Sequence, residues 1–262
     1  MTRNKTLAIV LAILFALVLV VALGQSVFRV GNVELVSHTT TNHLSSLNES
    51  AVLESSKLNK GKSVFLLDRD SYTENLEKNQ PYMKVLSIEV VWPNTVKFHY
   101  AERVELYAIA LNDGGFAYVD SEFKVLKVNK TPFVSNQQNC ILLDCGFDKS
   151  STEIVPGTFL DKTMFSDFLG LGDAYGDMGY SLAQMKSMVL SITNETNEDG
   201  HTTVLQTSLG VKIQILNSAF YTSQKVTLAY SMLETLDASE YSSGTIYVFK
   251  NSQSVLESRY FA

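Results

Sequence analysis

The residues that could do chemistry in this chain stand at spacings that do not suit it. The stretch KGKS, Lys60–Ser63, ends like a phosphate loop, but the first glycine of G-x-x-x-x-G-K-[ST] would fall at Ser56, and a strand-like VFLL follows where a helix should open. His38, His43, His99 and His201 form no H-E-x-x-H and no Cys/His cluster, so they read as loop or solvated histidines and no metal ion is expected. DAYGDMG, Asp173–Gly179, has two carboxylates but neither the spacing nor the closing glutamate of a calcium loop, and is read as a turn-rich surface loop. No G-x-S-x-G elbow marks a nucleophile. In VVWPNTVKFHYAER, Val90–Arg103, the pair Glu102-Arg103 offers an acid beside an electrophile. On a strand the two point to opposite faces, so separate structural contacts or part of a binding surface are the preferred reading. No catalytic residue and no cofactor are assigned.

The elements that would carry these residues begin with a hydrophobic run. After Arg3 and Lys5, Leu7–Leu23 has no polar side chain in 17 residues, about 25 Å of helix at 1.5 Å per residue. A cleaved signal peptide with a site at Ala22-Leu23-Gly24 is the rival, but the run exceeds the roughly 7–15 residues of a signal core. A retained single-pass anchor over 7–24 is therefore expected. Arg3 and Lys5 keep residues 1–6 in the cytoplasm and place the rest outside. Without those two side chains the Lys/Arg count falls from 21 to 19 against 27 Asp/Glu, a formal charge of −8, which argues against nucleic acid and against docking on an anionic membrane surface. Cys140 and Cys145, too few for a disulfide framework, would lie about 17 Å apart on one strand. Buried free thiols are preferred, with a bridge across a turn left open.

Beyond the run, VFRVGNVELV reads as a first strand with Gly31 as a bulge. Asn48 caps a short helix through Ala51, Val52 and Leu53, with stop signals at Asn59–Gly61. A second helix starts near Asp68 or Asp70, runs through Tyr72 and Leu76 and ends before Pro81. In the hairpin, Leu86, Ile88, Val90 and Trp92 are expected on one face of the first strand, and Val96, Phe98 and Tyr100 on one face of the second. Glu89, Lys97, His99 and Arg103 are expected on the wet side. The order is strand, helix, helix, strand, strand. From Leu106 the texture is mostly β, with strands YAIAL, FAYVD, FKVLKV, CILLDC, TTVLQT, VKIQIL and TIYVF. Helical spacing covers Ser181–Leu190 and Ser223–Leu236; the second helix has Val226, Ala229, Tyr230, Leu233 and Leu236 on one face and Lys225 and Glu234 off it.

This order and these residues resemble the FtsQ/DivIB family of bacterial cell-division proteins over almost the whole chain. WPNTV followed by AER (Trp92–Arg103) is similar to that family's aromatic-Pro-Asn-Thr hairpin and Glu-Arg pair; AYVDSEFKVL, LQTSLGVKIQI and the helix from Lys225 resemble segments of its second domain. Ser37, Glu105, Phe123 and Phe249-Lys250-Asn251 depart from its pattern. The resemblance implies an α+β fold: a single transmembrane helix, a βααββ POTRA domain over 26–104, then a mostly antiparallel β-domain with two or more helices over 105–262. It implies a non-enzymatic scaffold at the division septum, an inner-membrane protein of type II orientation. Its partners are division proteins of the FtsB/DivIC and FtsL type, with no small-molecule substrate. The partner would add a strand at an edge formed by Ser252–Phe261 beside Thr245–Lys250. The residues named for it are Tyr247, Phe249, Ser252, Ser254, Val255, Leu256, Arg259 and Tyr260, the last as an aromatic anchor. A membrane-anchored or secreted envelope hydrolase and a transport-type POTRA module are the alternatives.

Overall fold

The computed structural model describes residues 11–16, 18, 27–39, 44, 47–111, 114–130, 140–144, 154–165, 168, 170–197, 200–241 and 244–262. The chain divides into two compact units, Met1–Arg103 and Val104–Ala262. Most of the hydrophobic run lies outside the described residues; 11–16 and 18 are helical. Among the described residues no helix is long and apolar enough to cross a membrane. His43 and Cys145 also lie outside them, as does most of the loop after His38.

The first unit is a three-stranded mixed sheet with two helices, in the order strand, helix, helix, strand, strand: β1 (Asn32–Ser37), α1 (Glu49–Ser56), α2 (Arg69–Asn79), β2 (Met83–Val91) and β3 (Thr95–Glu102). β3 is central, parallel to β1 and antiparallel to β2. Asn48 caps α1 through its Oδ1, which accepts from the Ala51 amide at 2.9 Å, and Asp68 caps α2 in the same way through Ser71. Val52, Leu76, Met83, Val96 and Phe98 form the centre of the core.

The first strand starts later than its alternation suggested. Residues 28–30 pair instead with the segment before α2, the Val30 amide donating to the Lys62 carbonyl at 2.8 Å and the Val64 amide to the Phe28 carbonyl at 3.0 Å. Gly31 lets the backbone meet the hairpin turn: its amide donates to the Asn94 carbonyl at 2.8 Å, and a Cβ would stand 2.8 Å from the Asn94 side chain. KGKS leads into a short 3-10 turn, Val64–Leu66, rather than a strand.

The hairpin needs correction as well. The β2–β3 register slips between Val85 and Ser87, so Leu86 is the extra residue of a bulge and is half exposed, while Met83 and Ile88 are buried. Trp92 lies in the turn and is exposed. Arg103 is buried rather than wet.

The second unit is built on a nine-stranded mixed sheet, mostly antiparallel. Its strands are β4 (Tyr107–Ala110), β5 (Phe116–Val119), β6 (Val125–Asn129), β7 (Ile141–Asp144), β8 (Val189–Asn197), β9 (Gly200–Thr207), β10 (Lys212–Leu216), β11 (Thr245–Lys250) and β12 (Leu256–Phe261), ordered β12-β11-β10-β9-β8-β7-β4-β5-β6. The helices α3 (Leu171–Asp177), α4 (Leu182–Met188) and α5 (Thr222–Leu233) contribute Tyr175, Met185, Val226, Ala229 and Tyr230 to the core that covers Ile192, Leu205, Ile213, Ile246 and Val248.

Three expectations fail here. DAYGDMG lies mainly in α3, not in a loop: Leu171, Ala174 and Tyr175 are buried at helical spacing, a pattern masked by glycines and aspartates. Residues 189–197, polar enough to escape notice, form β8, and α4 ends at Met188. Lys225 is buried on α5, its ammonium donating to the carbonyls of Leu216 and Asn217 at 2.7 and 2.6 Å.

Candidate functional site

Four kinds of chemistry-bearing residue turn out to have structural partners. Glu102 accepts from the Leu44 amide at 3.4 Å, while Arg103 pairs with Glu77 at 3.0 Å, so the two do make separate contacts. His99 bridges the Glu89 carboxylate (3.0 Å) and His38 (3.1 Å) on the open face of the small sheet. Among the described residues, no group of three or more His, Cys, Asp or Glu could hold a metal ion. Cys140 is a buried free thiol near Glu105; desolvation first, and then the Glu105 charge, push it up to about 11, leaving it protonated at neutral pH.

The feature with binding geometry is the sheet edge at β12. Both edges of the small sheet lend an amide to a helix carboxylate: Val33 of β1 donates to Glu49 at 3.2 Å, and Val85 of β2 to Glu77 at 2.8 Å. The β6 edge of the large sheet is partly covered by 157–159, where the Val125 amide donates to the Thr158 carbonyl and the Gly157 amide to the Val125 carbonyl, both at 2.8 Å. Among the described residues β12 is the terminal strand, paired on one side only, with β11. An edge of this kind is a template for another strand.

Register sorts the side chains into two rows. Thr245, Tyr247 and Phe249 stand opposite Phe261, Arg259 and Glu257; Ile246, Val248 and Lys250 stand opposite Tyr260, Ser258 and Leu256. Ile246 and Val248 are buried on the helix side, so the first row faces away from the helices. On that outward face the Tyr247 and Phe261 rings meet edge to face at 5.4 Å, and the Arg259 guanidinium lies 5.4 Å from the Phe249 centroid. Arg259 also pairs with Glu257 at 3.0 Å. The Asn251 amide and then Arg259 hold the Glu257 carboxyl below its ordinary value. Beside this row lies an open groove of about 620 Å³ lined by Gln214, Leu216, Tyr247, Phe249, Arg259 and Phe261.

Of the residues named from sequence, Tyr247, Phe249 and Arg259 come together on this face. Leu256 is on the helix-side row, and Val255 is exposed just before the strand. Ser252 and Ser254 lie in the β11–β12 turn, Ser254 at φ 62°, so the strand begins four residues later than expected. Tyr260 points inward: it packs on the core, donates its hydroxyl to the Glu240 carbonyl at 2.9 Å and lies over Gly244, where a Cβ would collide with its ring. Phe261, Glu257, Gln214 and Leu216 were missed. Alternation outward from Tyr247 finds Phe261 and Glu257 once the pairing register is known.

Residues 37–103 match the family model described as POTRA domain, FtsQ-type. The chain is 26% identical over 157 residues to the cell division protein FtsQ of Corynebacterium glutamicum, covering 59% of this chain and 64% of that protein. It is 32% identical over 79 residues to the cell division protein DivIB of Clostridium acetobutylicum, covering 30% of this chain and 31% of that one. The chain thus spans less than two thirds of the length of either relative. The POTRA match falls on the first unit's helices and hairpin, and both relatives are division proteins; residues 37–103 are an FtsQ-type POTRA domain by this match, and the chain is similar to the cell-division proteins FtsQ and DivIB.

Proposed function

We propose that the protein is a membrane-anchored, non-enzymatic scaffold of the division complex, held by residues 7–24 with its bulk outside the inner membrane at the septum, and that it takes an added strand from a partner along β12. The partners of this reading are single-pass division proteins of the FtsB/DivIC and FtsL type. One observation carries it: among the described residues β12 ends the sheet with one neighbour, whereas the other three edges have backbone groups engaged by side chains or loop. Main-chain bonds along such an edge give affinity, and the outward row of Tyr247, Arg259 and Phe261 gives selectivity. Photo-crosslinking amino acids placed at Glu257, Arg259 or Phe261 of the full chain in dividing cells should capture a protein of that class. Co-purification unchanged after deletion of 256–262 would sink the reading.

A further inference from the structure

The first unit carries an exposed aromatic cluster that the scaffold reading does not use. The rings of Phe28, Phe65 and Trp92 lie 5.5, 5.4 and 5.1 Å apart pairwise. Phe65, Leu66 and Trp92 are 65, 72 and 57% exposed, and Val27 is 48% exposed. The local backbone causes this. The 3-10 turn at Val64–Leu66, capped by the Ser63 hydroxyl, sends successive side chains about 120° apart, so burying Val64 turns Phe65 and Leu66 outward. Such rings do not cluster in water without cause; an apolar body with one polar edge, as in Trp, suits a membrane–water interface.

Chain length and charge say what covers the cluster. Phe28 follows the last residue of the hydrophobic run, Leu23, by five residues, which span at most about 18 Å. The segments that form and flank the cluster, 27–31, 57–67 and 91–95, contain Arg29, Lys57, Lys60 and Lys62 and no acidic residue, in a chain of net charge −6. Lys60 is paired with Glu49 at 2.8 Å. The external charge as a whole disfavours an anionic surface, but these three segments carry the opposite sign; in the pocket beside Phe65 and Trp92, Arg69 stands with Glu89 and leaves that balance unchanged. We propose that Phe28, Phe65, Leu66 and Trp92 seat the first unit in the headgroup region of the bilayer, fixing its tilt relative to the anchor. The proposal rests on the anchored reading of residues 7–24.

Trp92 is the chain's single tryptophan, so it reports this contact directly. The full chain would be reconstituted into phosphatidylcholine–phosphatidylglycerol vesicles with and without brominated acyl chains, and alkaline carbonate extraction run in parallel to score the anchor. The expected result is blue-shifted, bromine-quenched Trp92 emission, with quenching falling at least about two-fold in the F65S/L66S variant. Water-like, unquenched emission from carbonate-resistant protein overturns the proposal and leaves the anchor standing. So does quenching indifferent to F65S/L66S, or emission that shifts only when another division protein is co-reconstituted. Carbonate-extractable protein that is still quenched on the vesicles removes the anchor and with it the proposed tilt, leaving only a surface contact of the aromatic cluster; extractable, unquenched protein removes that contact as well.

Discussion

Replacing Glu77 tests the account of how the Glu-Arg pair at the end of the hairpin is used. One Glu77 oxygen accepts from the Val85 amide at 2.8 Å, at the β2 bulge, and the other pairs with Arg103 at 3.0 Å. The two side chains are only 14 and 5% exposed, and Arg103 also donates through Nε to the Met83 carbonyl at 3.3 Å. One carboxylate therefore ties α2 to the bulge and to the end of the sheet. Glu77→Ala withdraws one counter-ion from a buried cation and the acceptor from an edge amide, at a cost of about 3 kcal/mol. Glu77→Gln keeps an acceptor for Val85 and a neutral bond to Arg103, and should cost about 1–2 kcal/mol. Glu77→Leu with Arg103→Met removes both charges together and should cost less than Glu77→Ala alone, because burying the pair offsets much of its attraction. Urea titration followed by Trp92 reads the first unit separately from the second. With a slope near about 1 kcal/mol per M, Glu77→Ala should lower the midpoint by about 3 M. A Glu77→Ala midpoint within about 0.5 M of the parent, or equal losses for Ala and Gln, refutes the argument.

Two further outcomes follow from the second unit. Phe123 is fully buried, stacked 4.4 Å from Phe165 and 5.5 Å from Tyr107, yet holds φ at 61°, at the position where the resembled family has glycine. Phe123→Ala and Phe123→Gly should each lose several kcal/mol for the missing ring, but Gly should be the more stable of the two by about 1 kcal/mol in calorimetry, since only Ala keeps the left-handed strain. Lys225→Met strips two carbonyls of their donor and should cost about 2 kcal/mol or more, read by thermal denaturation. Desolvation, then the Lys250 charge, lower the Lys225 pKa in the folded chain. The unfolded state therefore binds more protons between that lowered value and about 10.5, and stability gains a rising component with pH in that window which the variant should lack.

The small unit was legible because its signals are local. Asn48 caps the helix it was expected to cap, the second helix starts where Asp68 and Asp70 placed it, Tyr72 and Leu76 fall on the buried side of α2, and Val96, Phe98 and Tyr100 alternate inward along β3. Its errors have non-local causes. Leu86 is turned out by a bulge that only pairing with β3 creates, and Arg103 is drawn in by Glu77, 26 residues away. The same holds for Lys225, whose buried ammonium is accounted for by the carbonyls of Leu216, at the end of β10, and Asn217, just after it. β8 is a strand made by its neighbours: TNET has little apolar alternation of its own and is held by β9 on one side and, through residues 191–193, by β7 on the other.

The edge shows the limit of alternation more sharply. From sequence, Tyr260 looked like the aromatic a partner would grip and Phe261 drew no notice; strand parity requires that only one of the two neighbours face outward, and nothing local says which. The choice is made by β11, whose Ile246 is buried and stands opposite Tyr260, and by Gly244 with the Glu240 carbonyl, which leave a slot for the Tyr260 ring and hydroxyl. A strand added along β12 would have its own alternating rows. One would extend the Tyr247, Arg259 and Phe261 face, and the other would continue past Ser258 and Tyr260 on the helix side. Under the proposed function, then, Arg259 and Phe261 discriminate between partners by direct contact. Tyr260 acts one step back, by fixing the strand on which they stand, so its loss should loosen the whole edge rather than one side-chain contact.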